Sequence, residues 1–202
     1  MKEALVIFVR NPELGKVKTR LAATIGDVAA LAVYKKLLEH TQRITSYCAA
    51  DKYVFYAERI MDNDLWTADH YFKFHQHEGD LGIKMKEAFA LVFSKGYQRA
   101  VIIGSDCPGL TEHHIQQAFS GLQRHDVVIG PARDGGYYLL GMNRLQPVLF
   151  EGKQWSTDTV YDDTIQSIEA AGLSYTALEM LTDVDEEKDL PESWRKDLSL
   201  II

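Results

Sequence analysis

Two stretches of this chain, Ala4-Leu-Val-Ile-Phe-Val9 and Ala100-Val-Ile-Ile103, are apolar at every position rather than at every second one. A strand with one wet face alternates, so a strand that is apolar throughout needs cover on both faces, as in a parallel sheet enclosed by helices. The intervening segments carry the other period. Leu31, Tyr34, Leu38 and Thr41 share one face of a helix over 27–48, for which Asp27 is the expected N-cap. Met85, Ala88, Phe89 and Val92 do the same in a helix from near Ile83, and Ile115, Ala118, Phe119 and Leu122 in one from near Thr111. Tyr161, Ile165 and Ile168 point inward from a helix over 157–171. Shorter apolar runs predict strands over 54–56, 71–74, 126–131 and 137–142, with a last long one over 173–178, while 10–18 reads as a loop. Strands alternating with helices, with no repeat, linker or low-complexity tract, predict one α/β layered domain over 1–202.

Bulk properties remove several function classes. With 46% hydrophobic and 25% charged residues the composition is that of a globular protein, and a net charge of −7 argues against non-specific nucleic-acid binding. Any anion site must therefore be local. Two cysteines, Cys48 and Cys107, are too few for a disulfide framework or a zinc cluster, and point to reduced thiols in a cytoplasmic protein. The first residues form a short apolar run that meets Arg10 and Pro12, unlike a secretory leader, and no segment has the apolar length of a membrane span.

The chemistry-bearing residues sit where predicted strands end. In an open α/β sheet the carboxyl ends of the strands face the ligand crevice. The run Val101-Ile-Ile-Gly-Ser-Asp-Cys-Pro-Gly-Leu110 delivers Asp106 there, as a cation ligand or as an ordinary turn residue before Pro108. After the first strand, Arg10, Lys16, Lys18 and Arg20 concentrate positive charge around Gly15, a loop suited to phosphate. It matches neither the dinucleotide fingerprint nor the P-loop, which demotes dehydrogenases and ATPases. Asp80, before a helix, is a cap or a contact to a base or ribose. Asp134-Gly135-Gly136 is a turn between two strands whose glycines also let a ligand approach the backbone, framed by Pro131, Arg133 and Tyr137. Asp183-Val-Asp185 opens an acidic run, and Asp185 paired with Asp106 would suit one Mg²⁺ completed by waters and substrate phosphates. His75 with His77 and His113 with His114 lack a third ligand at a suggestive spacing. No Gly-x-Ser-x-Gly elbow is present, and Cys107 beside a carboxylate makes a poor nucleophile.

Six ordered motifs carry a resemblance: Lys18-Thr-Arg-Leu21, Gly79-Asp-Leu-Gly82, Gly104-Ser-Asp-Cys-Pro108, Gly130-Pro-Ala-Arg-Asp-Gly-Gly-Tyr137, Trp155-Ser-Thr157 and Asp183-Val-Asp185. Together they resemble a bacterial family of GT-A-like proteins assigned as glycosyltransferases, within the nucleotide-diphospho-sugar transferase superfamily. That superfamily also holds the phospholactate guanylyltransferases and the molybdenum cofactor nucleotidylyltransferases. The resemblance implies a Rossmann-like GT-A fold, a three-layer sandwich on a mixed, mostly parallel sheet in which 137–142 runs antiparallel. Carried over, Lys16, Lys18 and Arg20 would meet the phosphates and Asp80 the nucleoside, with Asp134, Gly135 and Gly136 beside the nucleotide. Asp106 and Asp185 would hold Mg²⁺, or Mn²⁺ in its place, with Lys18 and Asp106 as the catalytic pair; Arg133, Trp155 and Thr157 would line the acceptor side. Two departures stand out. Asn11-Pro-Glu-Leu-Gly15 replaces the glycine-rich loop of the better known nucleotidylyltransferases, and Gly104-Ser105-Asp106 lacks the Asp-x-Asp of many sugar transferases. Each departure weakens one precise activity. Because Lys18-Thr-Arg-Leu21 resembles the guanylyltransferase branch and the Asp-x-Asp is missing, the resemblance implies nucleotidylyl transfer from a nucleoside triphosphate to a small phosphorylated acceptor, ahead of glycosyl transfer from a nucleotide sugar. The rival is a non-catalytic nucleotide-binding module.

Overall fold

The computed structural model describes residues 2–198. One sheet organises them, in the strand order β3-β2-β1-β4-β6-β5-β7. Its members are β1 (Glu3–Val9), β2 (Asp51–Tyr56), β3 (Tyr71–His75), β4 (Arg99–Ile103), β5 (Val127–Pro131), β6 (Tyr137–Met142) and β7 (Tyr175–Ala177). All neighbours pair in parallel except β6, which runs antiparallel to both β4 and β5. The mixed sheet and its single reversed strand are those the resemblance implied.

The period of two decides which side chain meets which helix layer. Leu5, Ile7, Val9, Val54, Tyr56, Val101, Ile103 and Val128 point to one face, where α1 (Thr19–Ile25), α2 (Asp27–Ser46) and α4 (Glu112–Gly121) cover them. Ala4, Val6, Tyr53, Phe55, Ile102, Ile129, Leu140 and Met142 point to the other, under α3 (Leu81–Ser94), the 3₁₀ turn Pro147–Phe150 and α5 (Val160–Ala170). The uninterrupted apolar runs of β1 and β4 are thus explained by burial on both sides. Each fully buried aliphatic side chain here contributes about 1.5–3 kcal/mol. The helix stripes read from the sequence are buried too: Met85, Ala88, Phe89 and Val92 on α3, and Ile115, Ala118 and Phe119 on α4. A last helix, α6 (Glu192–Leu198), brings Trp194 against the first layer. Among the described residues no helix is long and apolar enough to cross a membrane.

Three local expectations need correcting. Residues 19–25, assigned no element from sequence, form α1, whose seven residues are too few to show a hydrophobic period. Gly26 at φ +83 both closes α1 and caps α2, so Asp27 is the first helical residue and serves the dipole rather than the cap. The long final strand is only three residues, although Leu178 N–H still donates to the Ile129 carbonyl; the ladder beside β5 then breaks at residues 179–180. It resumes at Leu181, where Leu181 N–H donates to Pro131 and Arg133 N–H donates to Leu181.

Candidate active site

The resumed ladder matters because it carries residues 181–185 along the carboxyl edge of the sheet. Val184 N–H donates to the Asp106 carbonyl at 3.0 Å, tying the segment after β7 to the loop after β4. The loop after β1 is fixed separately. Buried Asn11 accepts from the Glu58 and Arg59 N–H groups at 3.2 Å and donates to the Arg59 carbonyl at 2.9 Å. The Tyr34 hydroxyl accepts from the Arg10 N–H at 2.8 Å and donates to its carbonyl at 3.1 Å. Val17 then anchors in the core, and Lys18 turns left-handed at φ 49 and ψ 46 to start α1. A non-glycine residue held there costs about 1–3 kcal/mol, a strain that concentrates at functional positions.

Lys18 is the hub. Its side chain is 6% exposed, and its ammonium lies 2.7 Å from Asp106 Oδ2 and 3.4 Å from Asp185 Oδ1. Both carboxylates remain open to solvent, at 46% and 40%. Burial alone would depress the Lys18 pKa, but Asp106, then Asp185 and Asp183, outweigh it and hold the group above its usual value, hence charged. Arg20 reaches Asp185 from an exposed position at 3.6 Å. Lys18, Arg20, Asp106 and Asp185, distant in sequence, are therefore one cluster. Lys16 is not part of it: its ammonium pairs with Glu13 at 2.7 Å on the surface, where Arg59 also binds Glu13.

Asp183 is the residue that sequence reasoning left without a role. Its Oδ1 is buried without a hydrogen-bond partner. Burial, then the charges of Asp106 and Asp134, raise its pKa from 3.8 to about 7. The signal in the sequence was its place as first member of Asp183-Val-Asp185, but the acidic run obscured which carboxylate turns inward. A raised carboxylate pKa means that, between about pH 4 and pH 7, the native state holds a proton the unfolded chain has released. This group therefore removes stability as pH rises through that window, with the loss complete above it. In chelator-treated protein, Asp183→Asn is expected to match the wild-type Tm near pH 4 and exceed it at pH 8. A pH-independent difference would contradict the shift.

The Cys107 thiol is pushed up by burial first and then by Asp183, rather than by the adjacent Asp106 to which the sequence pointed. The Sγ sits 3.7 Å from the Thr182 carbonyl. Asp134 accepts from the Gly136 N–H at 2.9 Å, and Arg133 Nε donates to Thr182 Oγ1 at 3.3 Å, so the β5–β6 turn leans on the same 181–185 segment. Gly135, at φ +89, lets the Asp158 backbone approach closely: an added Cβ would lie 2.0 Å from the Asp158 carbonyl oxygen.

Two motifs distant in sequence meet at α3. Gly82 has no Cβ because the Trp155 indole occupies that space, 2.4 Å from where it would sit. Ser156 next to it is left-handed at φ 67, and Thr157 Oγ1 donates to the Gln154 carbonyl at 2.8 Å. Asp80 caps α3 by accepting from the Ile83 N–H at 2.8 Å. Asp80→Ala should therefore lower stability by about 1 kcal/mol in urea unfolding, whereas Asp80→Asn should keep the cap. Any loss of nucleotide affinity in Asp80→Asn then reports ligand contact alone. His114 and His75 are tied into the structure, with His114 Nε2 3.1 Å from Glu179 and His75 Nε2 2.9 Å from the Glu58 carbonyl. Among the described residues no three His, Cys, Asp or Glu side chains form a ready-made metal cage.

Comparisons with known proteins bear on the family and the fold. Residues 40–157 match the family described as "Uncharacterized protein conserved in bacteria (DUF2064)". A crystal structure of a protein provisionally assigned as a nucleotide-diphospho-sugar transferase, from Desulfovibrio desulfuricans G20, is 31% identical. It superposes with a TM-score of 0.87 over 100% of this chain and 94% of its own. The inositol-1-phosphate CTP transferase from T. maritima, 14% identical, matches with a TM-score of 0.52 over 100% of this chain and 96% of its own. CMP:2-keto-3-deoxy-manno-octonic acid synthetase in complex with CTP, 12% identical, gives 0.57 over 100% and 98%. These last two share the fold. No curated protein matches the sequence.

Proposed function

The chain belongs to this bacterial DUF2064 family, and from that membership and the geometry above we propose that it is a Mg²⁺-dependent transferase acting at a nucleotide phosphate. The favoured reaction is nucleotidylyl transfer from a nucleoside triphosphate to a small phosphorylated acceptor. One observation carries the reading. β1 and β4 are neighbours at the point where the strand order reverses, the position at which open α/β sheets bind ligands. Lys18 follows β1, Asp106 follows β4, and the two touch there at 2.7 Å.

The donor set fits a hard divalent ion. Two half-exposed carboxylates, with no third protein ligand among the described residues, describe a site completed by waters and phosphate oxygens. Asp106 and Asp185 would hold the ion, which when bound neutralises charge on the phosphates. Lys18 and Arg20 bind the polyphosphate, and Lys18, shielded from water, stabilises the charge that develops on it. An acceptor oxygen forms the new bond to the α-phosphorus as the bond to the bridging oxygen breaks, and pyrophosphate leaves with that electron pair. Asp80 contributes to the nucleoside side, with Asp134 and Gly136 beside the nucleotide. Arg133, Trp155 and Thr157 form the acceptor wall. Lys16, engaged with Glu13, would have to give up that surface partner to bind a phosphate.

The name borne by the 31% identical protein favours a second reading, in which a nucleotide sugar is the donor and a nucleoside diphosphate leaves. Incubation with each nucleoside triphosphate, Mg²⁺ and a panel of sugar phosphates, read by pyrophosphate release, separates the two. The first reading predicts pyrophosphate; release of nucleoside diphosphate from nucleotide sugars, with none of the former, would favour the second.

A further inference from the structure

We propose that Lys18 is a built-in cation filling the metal position of the resting site, so that the protein takes up its divalent ion only together with the phosphates of the nucleotide. This deepens the functional reading and rests on it.

The geometry leaves little room for another arrangement. An ion shared by Asp106 and Asp185 would sit about 2.1 Å from an oxygen of each. The Lys18 ammonium already occupies the space between them, at 2.7 Å and 3.4 Å, and donates to both. Two cations cannot share that gap, so uptake of the ion requires the ammonium to leave. The lysine stem is buried, and its charge, once displaced, needs another anion within reach. A free divalent ion brings none. The phosphate oxygens of a nucleotide supply it, and their own charge is then balanced by both cations. Nucleotide without metal faces the converse problem, because its phosphates approach Asp106 and Asp185 while Lys18 is still engaged. Each ligand therefore prepares the site for the other, and the coupling is reciprocal. Arg20 differs in kind. It has the same charge and also approaches Asp185, but from a side chain 74% exposed and at 3.6 Å, outside the gap.

This contrast provides the test. Binding of free Mn²⁺, without nucleotide, would be followed by electron paramagnetic resonance at about 0.15 M ionic strength. Wild type would be compared with Lys18→Met, Lys18→Asn, Arg20→Met and Asp106→Asn, each checked for fold by circular dichroism. Asparagine tolerates the left-handed backbone of position 18 and covers the case in which the methionine variant does not fold. Either Lys18 variant is expected to bind Mn²⁺ about tenfold or more tightly than wild type. Arg20→Met should gain clearly less than either Lys18 variant, because a charge on an exposed side chain acts on Asp185 largely through solvent. Equal gains in the Lys18 and Arg20 variants would show a general field effect and overturn the proposal, as would unchanged or weaker binding in the Lys18 variants. If that failure came with Mn²⁺ binding lost in Asp106→Asn, the metal reading would stand without it. If no protein bound Mn²⁺ at all, both would fall.

Discussion

Asp106→Asn is expected to lower turnover of the nucleotide substrate by about 10²–10³-fold while leaving the fold intact. Asparagine keeps the size and planarity of the side chain but offers one neutral oxygen where a hard cation needs a charged one. The structural cost is small, because Asp106 is half-exposed and its backbone carbonyl, not its side chain, holds Val184. Lys18 retains Asp185 as a partner. Circular dichroism and pyrophosphate release measured on the same preparation would check both halves. A folded variant with wild-type turnover would remove Asp106 from the chemistry and take the metal assignment with it.

Gly135→Ala is expected to have the largest effect on stability. The new methyl group would be driven against the Asp158 backbone, with the carbonyl oxygen at 2.0 Å and its carbon at 2.5 Å, on a residue that already sits at φ +89. Backbone cannot rotate aside as a side-chain tip can. The left-handed conformation and the overpacking together cost about 3 kcal/mol, equivalent to lowering Tm by about 6–12 °C in a chain of this length. Gly136→Ala is the matched control. Its nearest neighbour is the Asp134 carboxylate at 3.2 Å, which can yield, and its φ is not positive, so its Tm should shift far less. Comparable losses in the two variants would mean that the turn, rather than the contact with Asp158, sets the cost.

That contact also shows where sequence reasoning stops. Asp134-Gly135-Gly136 announced a turn, and a turn it is, but the partner that excludes a side chain at Gly135 is Asp158, and no local pattern marks a backbone approach from that distance. The same holds for Gly82 and Trp155, two motif residues whose contact becomes visible only in three dimensions. The buried strands were legible because burial on both faces leaves an unbroken apolar run, as in β1 and β4. α1 was not, being too short to express a period, and β7 was overestimated, since the expected 173–178 keeps only Tyr175–Ala177 as strand. Within the site, Asp106, Lys18 and Asp185 could be named because each follows a strand predicted to end at the crevice. Their partners could not: that Lys18 is buried between two half-exposed carboxylates, and that burial and then Asp183, rather than Asp106, raise Cys107, depends on side-chain directions that spacing does not encode.

The most direct test of the central claim is a thermal-shift series with the four nucleoside triphosphates and common nucleotide sugars, each with and without Mg²⁺, on wild type and Asp106→Asn. A ligand that binds the native state raises Tm by mass action, so no reaction need be assumed. A triphosphate that stabilises wild type only with Mg²⁺, and whose effect is lost in Asp106→Asn, is the predicted result. Stabilisation that is independent of Mg²⁺ and unchanged in Asp106→Asn, or none from any nucleotide, would contradict a metal-assisted nucleotide site between β1 and β4.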